Sequence, residues 1–170
     1  PLGLAFDLEL LLSYPLMFAG MFFLLARKLE RRDAAAYGAL VFTFAGFNLL
    51  HFVHPNAVAI AAHLPWLLYC VDVALRSADR RYVAVADVGV AVLVALQLLL
   101  GYPQYVWLSL LVVAAYAACA AASTPGTAWR LVVLAWSVLL GVLCAGIQLA
   151  PTYDLLAHSL RQSASSEFAN

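Results

Sequence analysis

Six long apolar runs separated by short polar junctions organise the chain. They are Leu8–Leu29, Ala34–Leu50, Ala57–Leu75, Tyr82–Leu100, Pro103–Ala122 and Ala128–Leu149. A helix needs about 20 mostly apolar residues to cross a bilayer. Runs of this length, rich in Leu and Ala, are helical, whereas the strands of membrane barrels are about 10 residues long with alternating polarity. The predicted class is all-α: a polytopic transmembrane bundle of about six spanning helices in a single domain over residues 1–170. Pro15 is expected to kink the first helix in its outer half, and Pro65 to break or kink the third. Gly38 and Gly46 mark places in the second where another helix can approach closely. Pro103 suits the first turn of its helix, where a missing N–H costs nothing. After the sixth run, Pro151 is expected to open an outer juxtamembrane helix over 151–161, on which Asp154, His158 and Arg161 share one face at i, i+4, i+7 spacing.

Composition agrees with lipid as the solvent. The chain is 66% hydrophobic and 11% charged, against about 45–50% and about 25% for a soluble domain. Its formal net charge is zero, which gives no electrostatic case for nucleic acid. Cys70, Cys119 and Cys144 lie far apart inside apolar runs, with no CxxC and an odd count, so they read as small packing residues rather than a disulfide framework or a zinc site. The chain shows no signal peptide. It begins with Pro1 and ends in the polar tail Gln162–Asn170, so it reads as an internal fragment of a longer membrane protein.

Charge then sets an orientation. Arg27, Lys28, Arg31 and Arg32 lie between runs one and two, Arg76, Arg80 and Arg81 between three and four, and Arg130 between five and six. Eight of the nine basic residues thus fall at every second junction. The positive-inside rule makes that side cytoplasmic and both ends extracytoplasmic, in a multi-pass protein of the bacterial cytoplasmic membrane. Three polar junctions then face outward together: His51-Phe52-Val53-His54-Pro55-Asn56, Gly101-Tyr102-Pro103-Gln104, and Gln148 to Arg161, with Gln97, Asp7 and Glu9 nearby. We expect these junctions to line one site.

Each group has a plain reading beside the functional one. His51 and His54 have i, i+3 spacing and fit interfacial histidines, contacts to a phosphate or sugar, or metal ligands, although Pro55 holds His54 out of helical geometry. His63, inside a span, fits a helix–helix hydrogen bond or a water-filled cavity. Asp72 and Asp87 are expected to pair with Arg76, Arg80 or Arg81, with a proton relay as the alternative. Trp66, Tyr102, Tyr105, Trp107, Trp129 and Tyr153 cluster near span ends, as an aromatic belt does. Asp154, His158 and Arg161 form either a solvated helix face or a grip for a lipid phosphate, which suits Arg161 geometrically.

Three stretches, in order, resemble a known family: Ala45-Gly46-Phe47 with His51, His54-Pro55-Asn56 and Leu64-Pro65-Trp66-Leu67-Leu68; Gly101-Tyr102-Pro103-Gln104; and Gln148-Leu149-Ala150-Pro151-Thr152-Tyr153-Asp154 with Ser159-Leu160-Arg161. They resemble the bacterial YfhO-like membrane proteins, which look like members of the GT-C superfamily of glycosyltransferases. Pro1-Leu2-Gly3-Leu4 is similar to the end of that family's first large outer loop. The resemblance implies an enzyme that takes a sugar from a polyprenyl-phosphate carrier in the outer leaflet and passes it to a cell-envelope polymer outside the cytoplasm. It also implies a catalytic base in an outer loop upstream of Pro1. The family's usual Glu stands here as Asp154, a shorter reach, and His63 occupies a position where an apolar residue is expected. On this view Asp154 and Arg161 support the chemistry. Arg161, with His51, His54 or His158, offsets charge developing on the leaving phosphate. Asp154 binds a divalent cation or orients Arg161. Asn56, Tyr102, Gln104 and Gln148 offer hydrogen bonds to sugar hydroxyls, with Ser159 beside them. Two other classes fit the composition: a transporter or channel, which needs polar groups through the midplane or discontinuous helices, and a non-catalytic membrane scaffold whose outer polar residues face a partner.

Overall fold

The structure of the protein, a computed structural model, describes residues 2–158. Every regular element among them is an α-helix: α1 (Leu2–Ala26), α2 (Arg32–Thr43), α3 (Gly46–Leu50), α4 (Pro55–Arg76), α5 (Arg80–Leu99), α6 (Pro103–Ala122), α7 (Ala128–Cys144) and α8 (Gly146–Ala157). Phe6–Ala26, Arg32–Leu50, Pro55–Arg76, Arg80–Leu99 and Pro103–Ala122 are each long and apolar enough to cross a membrane, and α7 with α8 makes a sixth if that bent pair is one span. This is a multi-pass membrane protein.

The prolines behave in two ways. Pro55 and Pro103 open α4 and α6, and the residues before them, His54 (φ −117°, ψ 76°) and Tyr102 (φ −122°, ψ 73°), stay outside helical geometry. Pro15, Pro65 and Pro151 instead lie inside helices that run through them. The predicted break at Pro65 is absent. Pro65 is buried on the most enclosed helix of the bundle, where packing against neighbouring helices makes one missing backbone bond tolerable.

Two breaks occur where no proline stands. The run expected as one helix over 34–50 is interrupted at Phe44–Ala45. The carbonyls freed there are taken by the buried Asn48, whose Nδ2 donates to Phe42 O at 2.7 Å and Thr43 O at 3.3 Å. The sixth run stops at Cys144, and α8 departs at 65°. The bend falls at two small residues, Ala145 and Gly146, with Ala145 fully buried. Pro151 therefore sits inside α8 rather than at the start of a separate helix.

Helix α4 is the axis. It packs on α1, α5 and α6, while α2 lies on α1 and α7 on α5. Glycines set the closest approaches. Trp66 of α4 lies over Gly20 of α1 and donates its indole N–H to Leu16 O at 2.9 Å; a Cβ on Gly20 would stand 2.6 Å from that indole nitrogen. Gln97, fully buried, donates from Nε2 to Ile60 O at 3.0 Å and Ser109 Oγ at 3.1 Å. It joins α4, α5 and α6 and does not belong to the outer surface to which the sequence assigned it.

The basic junctions meet at one end. Buried Asp72 on α4 accepts from Arg27 Nε (3.2 Å), from Lys28 Nζ, and from Tyr116 OH of α6 (2.8 Å), and pairs with Arg76 Nε (3.1 Å). Asp87, expected to pair in the same way, makes no ion pair among the described residues. Arg130, two residues into α7, donates from Nη1 to Ala74 O, Leu75 O and Ser77 O at 2.8, 3.1 and 3.1 Å, and so caps the C-terminal turn of α4 with positive charge. Arg130→Met keeps the apolar stem and removes these bonds. It is expected to cost about 1.5–3 kcal/mol, seen as a clear fall in the melting temperature of the purified protein, whereas exposed Arg80→Met stays near the parent value.

Candidate functional site

At the opposite end, the junctions before α4 and before α6 come together. Asn56, in the first turn of α4, donates from Nδ2 to Leu100 O at 2.6 Å and so ties the two junctions. Gly101 follows with φ +73°, a left-handed turn that suits a residue without Cβ. The Gln148 amide lies beside it, 3.3 Å from where a Cβ would stand. That contact brings the start of α8 to the same corner.

Five rings meet here. Phe47 stacks on His51 with centroids 4.2 Å apart, and Tyr105 meets both edge-on at 5.5 and 6.1 Å. Tyr102 stacks on Tyr105 at 4.8 Å, and His54 lies parallel to Tyr102 at 6.5 Å. The arrangement follows from sequence spacing: Phe47 and His51 are one helical turn apart, and Tyr102 and Tyr105 flank Pro103 across the first turn of α6. His51 Nδ1 lies 3.0 Å from Phe47 O. A carbonyl can only accept, so Nδ1 donates there, and Nε2 is the ring nitrogen not spent on backbone.

Below the rings runs an apolar groove of about 310 Å³ between α3, α4 and α6, whose lining includes Phe47, Asn48, Leu64, Tyr105, Leu108 and Ser109. Phe47 and Tyr105 belong to both the ring cluster and the groove. In the sequence Tyr105 reads as a belt aromatic and Phe47 as a motif neighbour; their spacing to His51 and Tyr102 is the signal that sets them apart.

The other expected site residues are distributed less tightly. Gln104 is exposed on the first turn of α6. Asp154 and His158 are exposed on α8 and face each other: His158 Nδ1 lies 2.8 Å from Asp154 O and 3.5 Å from Asp154 Oδ1. Neither side chain touches the ring cluster among the described residues. Ser159 and Arg161 lie outside the described residues. His63, half-buried on α4, has its Nδ1 buried without a partner among the described residues. No group of three or more His, Cys, Asp or Glu comes together there to hold a metal ion, and His51 spends one ring nitrogen on backbone.

No family model, characterised protein or solved structure matches the chain. The site offers aromatic rings, a histidine ring nitrogen and amides at one end of the bundle, continuous with an apolar groove. That suits an amphipathic ligand with a polar head and a hydrocarbon tail.

Proposed function

We propose that the chain is the donor-binding part of an integral membrane glycosyltransferase of the GT-C type, YfhO-like. In this reading it binds a polyprenyl-phosphate-linked sugar, and the sugar passes to an extracytoplasmic cell-envelope acceptor. The observation that carries this reading is the sharing of Phe47 and Tyr105 between the ring cluster and the groove. A sugar laid against Tyr102 and Tyr105 would present its C–H face to the rings and its hydroxyls to His51, Gln104 and Gln148. The prenyl chain would descend along Leu64 and Leu108. The positive-inside rule puts the ring end outside, in the leaflet where such a donor would be displayed. Transfer needs a base on the acceptor hydroxyl and a stabilised phosphate leaving group. Asp154 and Arg161 are assigned to the phosphate.

A transporter would need polar side chains free to pass cargo. Asn48, Ser109 and the Gln97 Nε2 are engaged in hydrogen bonds that join or cap helices, and the buried polar atoms left without a partner among the described residues are single atoms of Thr43, His63 and Gln97. The test is donor binding by the full-length protein in nanodiscs. Tyr105→Ala should weaken polyprenyl-phosphate sugar binding about tenfold or more, given about 0.5–1.5 kcal/mol per aromatic pair plus lost area. Exposed Trp129→Ala, at the basic end, should leave it unchanged. A folded Tyr105→Ala protein with unaltered donor affinity would overturn the assignment in favour of a scaffold.

A further inference from the structure

The basic end holds a second cavity, of about 500 Å³, against α4 and α5 where α1 ends. Its lining changes character along the helices. Arg27 just past α1, Ser77 at the end of α4 and Tyr82 in the first turn of α5 are at the rim. Cys70 and Gly89 line it further along the helices, and Val85, 71% exposed, stands at its open side. Tyr82 to Gly89 spans about 10 Å along a helix at about 1.5 Å per residue. The floor is tight, because a Cβ on Gly89 would stand 2.9 Å from Cys70 Sγ.

The rim carries unbalanced positive charge. Arg27, Lys28 and Arg76 share one carboxylate, Asp72, so two of the three positive charges lack a counter-charge within the cluster. Arg27 spends Nε on Asp72 and lies over the Tyr69 ring at 5.5 Å. Its two terminal nitrogens make no hydrogen bond among the described residues, and 37% of its side chain is exposed. A guanidinium held at one nitrogen, with its other donors turned free, is built to take a phosphate oxygen or two.

We propose that this cavity binds an anionic phospholipid of the leaflet at the basic end. The phosphodiester sits against Arg27, with the Ser77 and Tyr82 hydroxyls as further donors, and the upper part of one acyl chain fills the slot above Gly89. A polar rim over an apolar slot that runs into the span favours a lipid over a free phosphate, which would leave the slot unused. The site is independent of the donor site at the other end.

The experiment is lipid binding by the full-length protein in detergent, read by native mass spectrometry and by melting temperature. Phosphatidylglycerol should bind and raise the melting temperature, while phosphatidylcholine and inorganic phosphate at equal concentration should not. Arg27→Gln should lower phosphatidylglycerol affinity about five- to tenfold. Val85→Trp, which sets an indole across the open side of the slot and leaves the Asp72 cluster intact, should lower it as much. Arg32→Gln, an exposed cation at the same end, should leave it unchanged. Equal binding of phosphatidylcholine, competition by inorganic phosphate, an equal loss in Arg32→Gln, or undiminished binding in Val85→Trp would each overturn the proposal.

Discussion

Asp72→Asn is expected to lower the melting temperature of the purified protein more than removal of any one cation around it. The carboxylate is 2% exposed and receives groups from three places: Arg27 and Lys28 just past α1, Arg76 at the end of α4, and Tyr116 on α6. With the charge gone, three cations face one another with no anion between them. Deleting one partner of a buried pair costs about 3–5 kcal/mol. The cations here keep part of their water, so the lower end of that range applies. Lys28→Met removes one of three cations from a site that remains positive, and Lys28 is 30% exposed, so its loss should be well under half as large. Tyr116→Phe removes one hydrogen bond, about 1 kcal/mol. Thermal unfolding of the four proteins in one detergent checks the order. An Asp72→Asn protein that melts with Lys28→Met would show that the cluster is held by something other than its carboxylate.

The same cluster shows what the sequence could and could not reveal. Hydropathy alone gives an all-helical membrane bundle, and the sorting of Lys and Arg into alternate junctions becomes one physical end of the molecule. There Arg130 reaches the carbonyls of α4, and Arg76 reaches Ser123 Oγ at 3.2 Å. Asp72 was expected to find a partner nearby, and Arg76, one turn on, is one. Its two partners from beyond α1 carry no local signal, because the pairing exists only once α1 lies on α4. The helix breaks were hidden for a related reason. The sequence predicts a kink at Pro15, a break or kink at Pro65 and a helix start at Pro151; α1, α4 and α8 continue through these residues, while the chain breaks at Phe44–Ala45. There the buried Asn48 amide, not a breaking residue, makes the interruption affordable in a medium without water. At the ring end, polar punctuation marked His51, His54 and Tyr102. Tyr105 reads as an ordinary boundary aromatic and Phe47 as a motif neighbour until helical spacing places them against the histidine.

Gly141→Leu is expected to pull α7 from α5 and to destabilise the bundle by about 3 kcal/mol or more, beyond the usual cost of overpacking. A Cβ at this position would lie 2.5 Å from Ala91 O and 2.9 Å from Val94 Cβ. The first of these is backbone inside α5 and cannot rotate aside, unlike the Leu25 methyl that faces Gly38 at 2.6 Å. The helices must separate, and α7 carries α8 with it. Gln148 would then leave the turn at Gly101, so the ring-end corner should loosen together with the helix interface. Gly46 is the natural control. The sequence marked it as a place of close approach, yet a Cβ there meets nothing within 4 Å, and Gly46→Ala should be neutral or slightly stabilising through the unfolded chain. Melting temperatures of Gly141→Ala, Gly141→Leu and Gly46→Ala should fall in steps for the first two and hold for the third. A Gly141→Leu protein as stable as its parent would mean that α7 has room to move without cost, and that Gln148 is held at Gly101 by α8 alone.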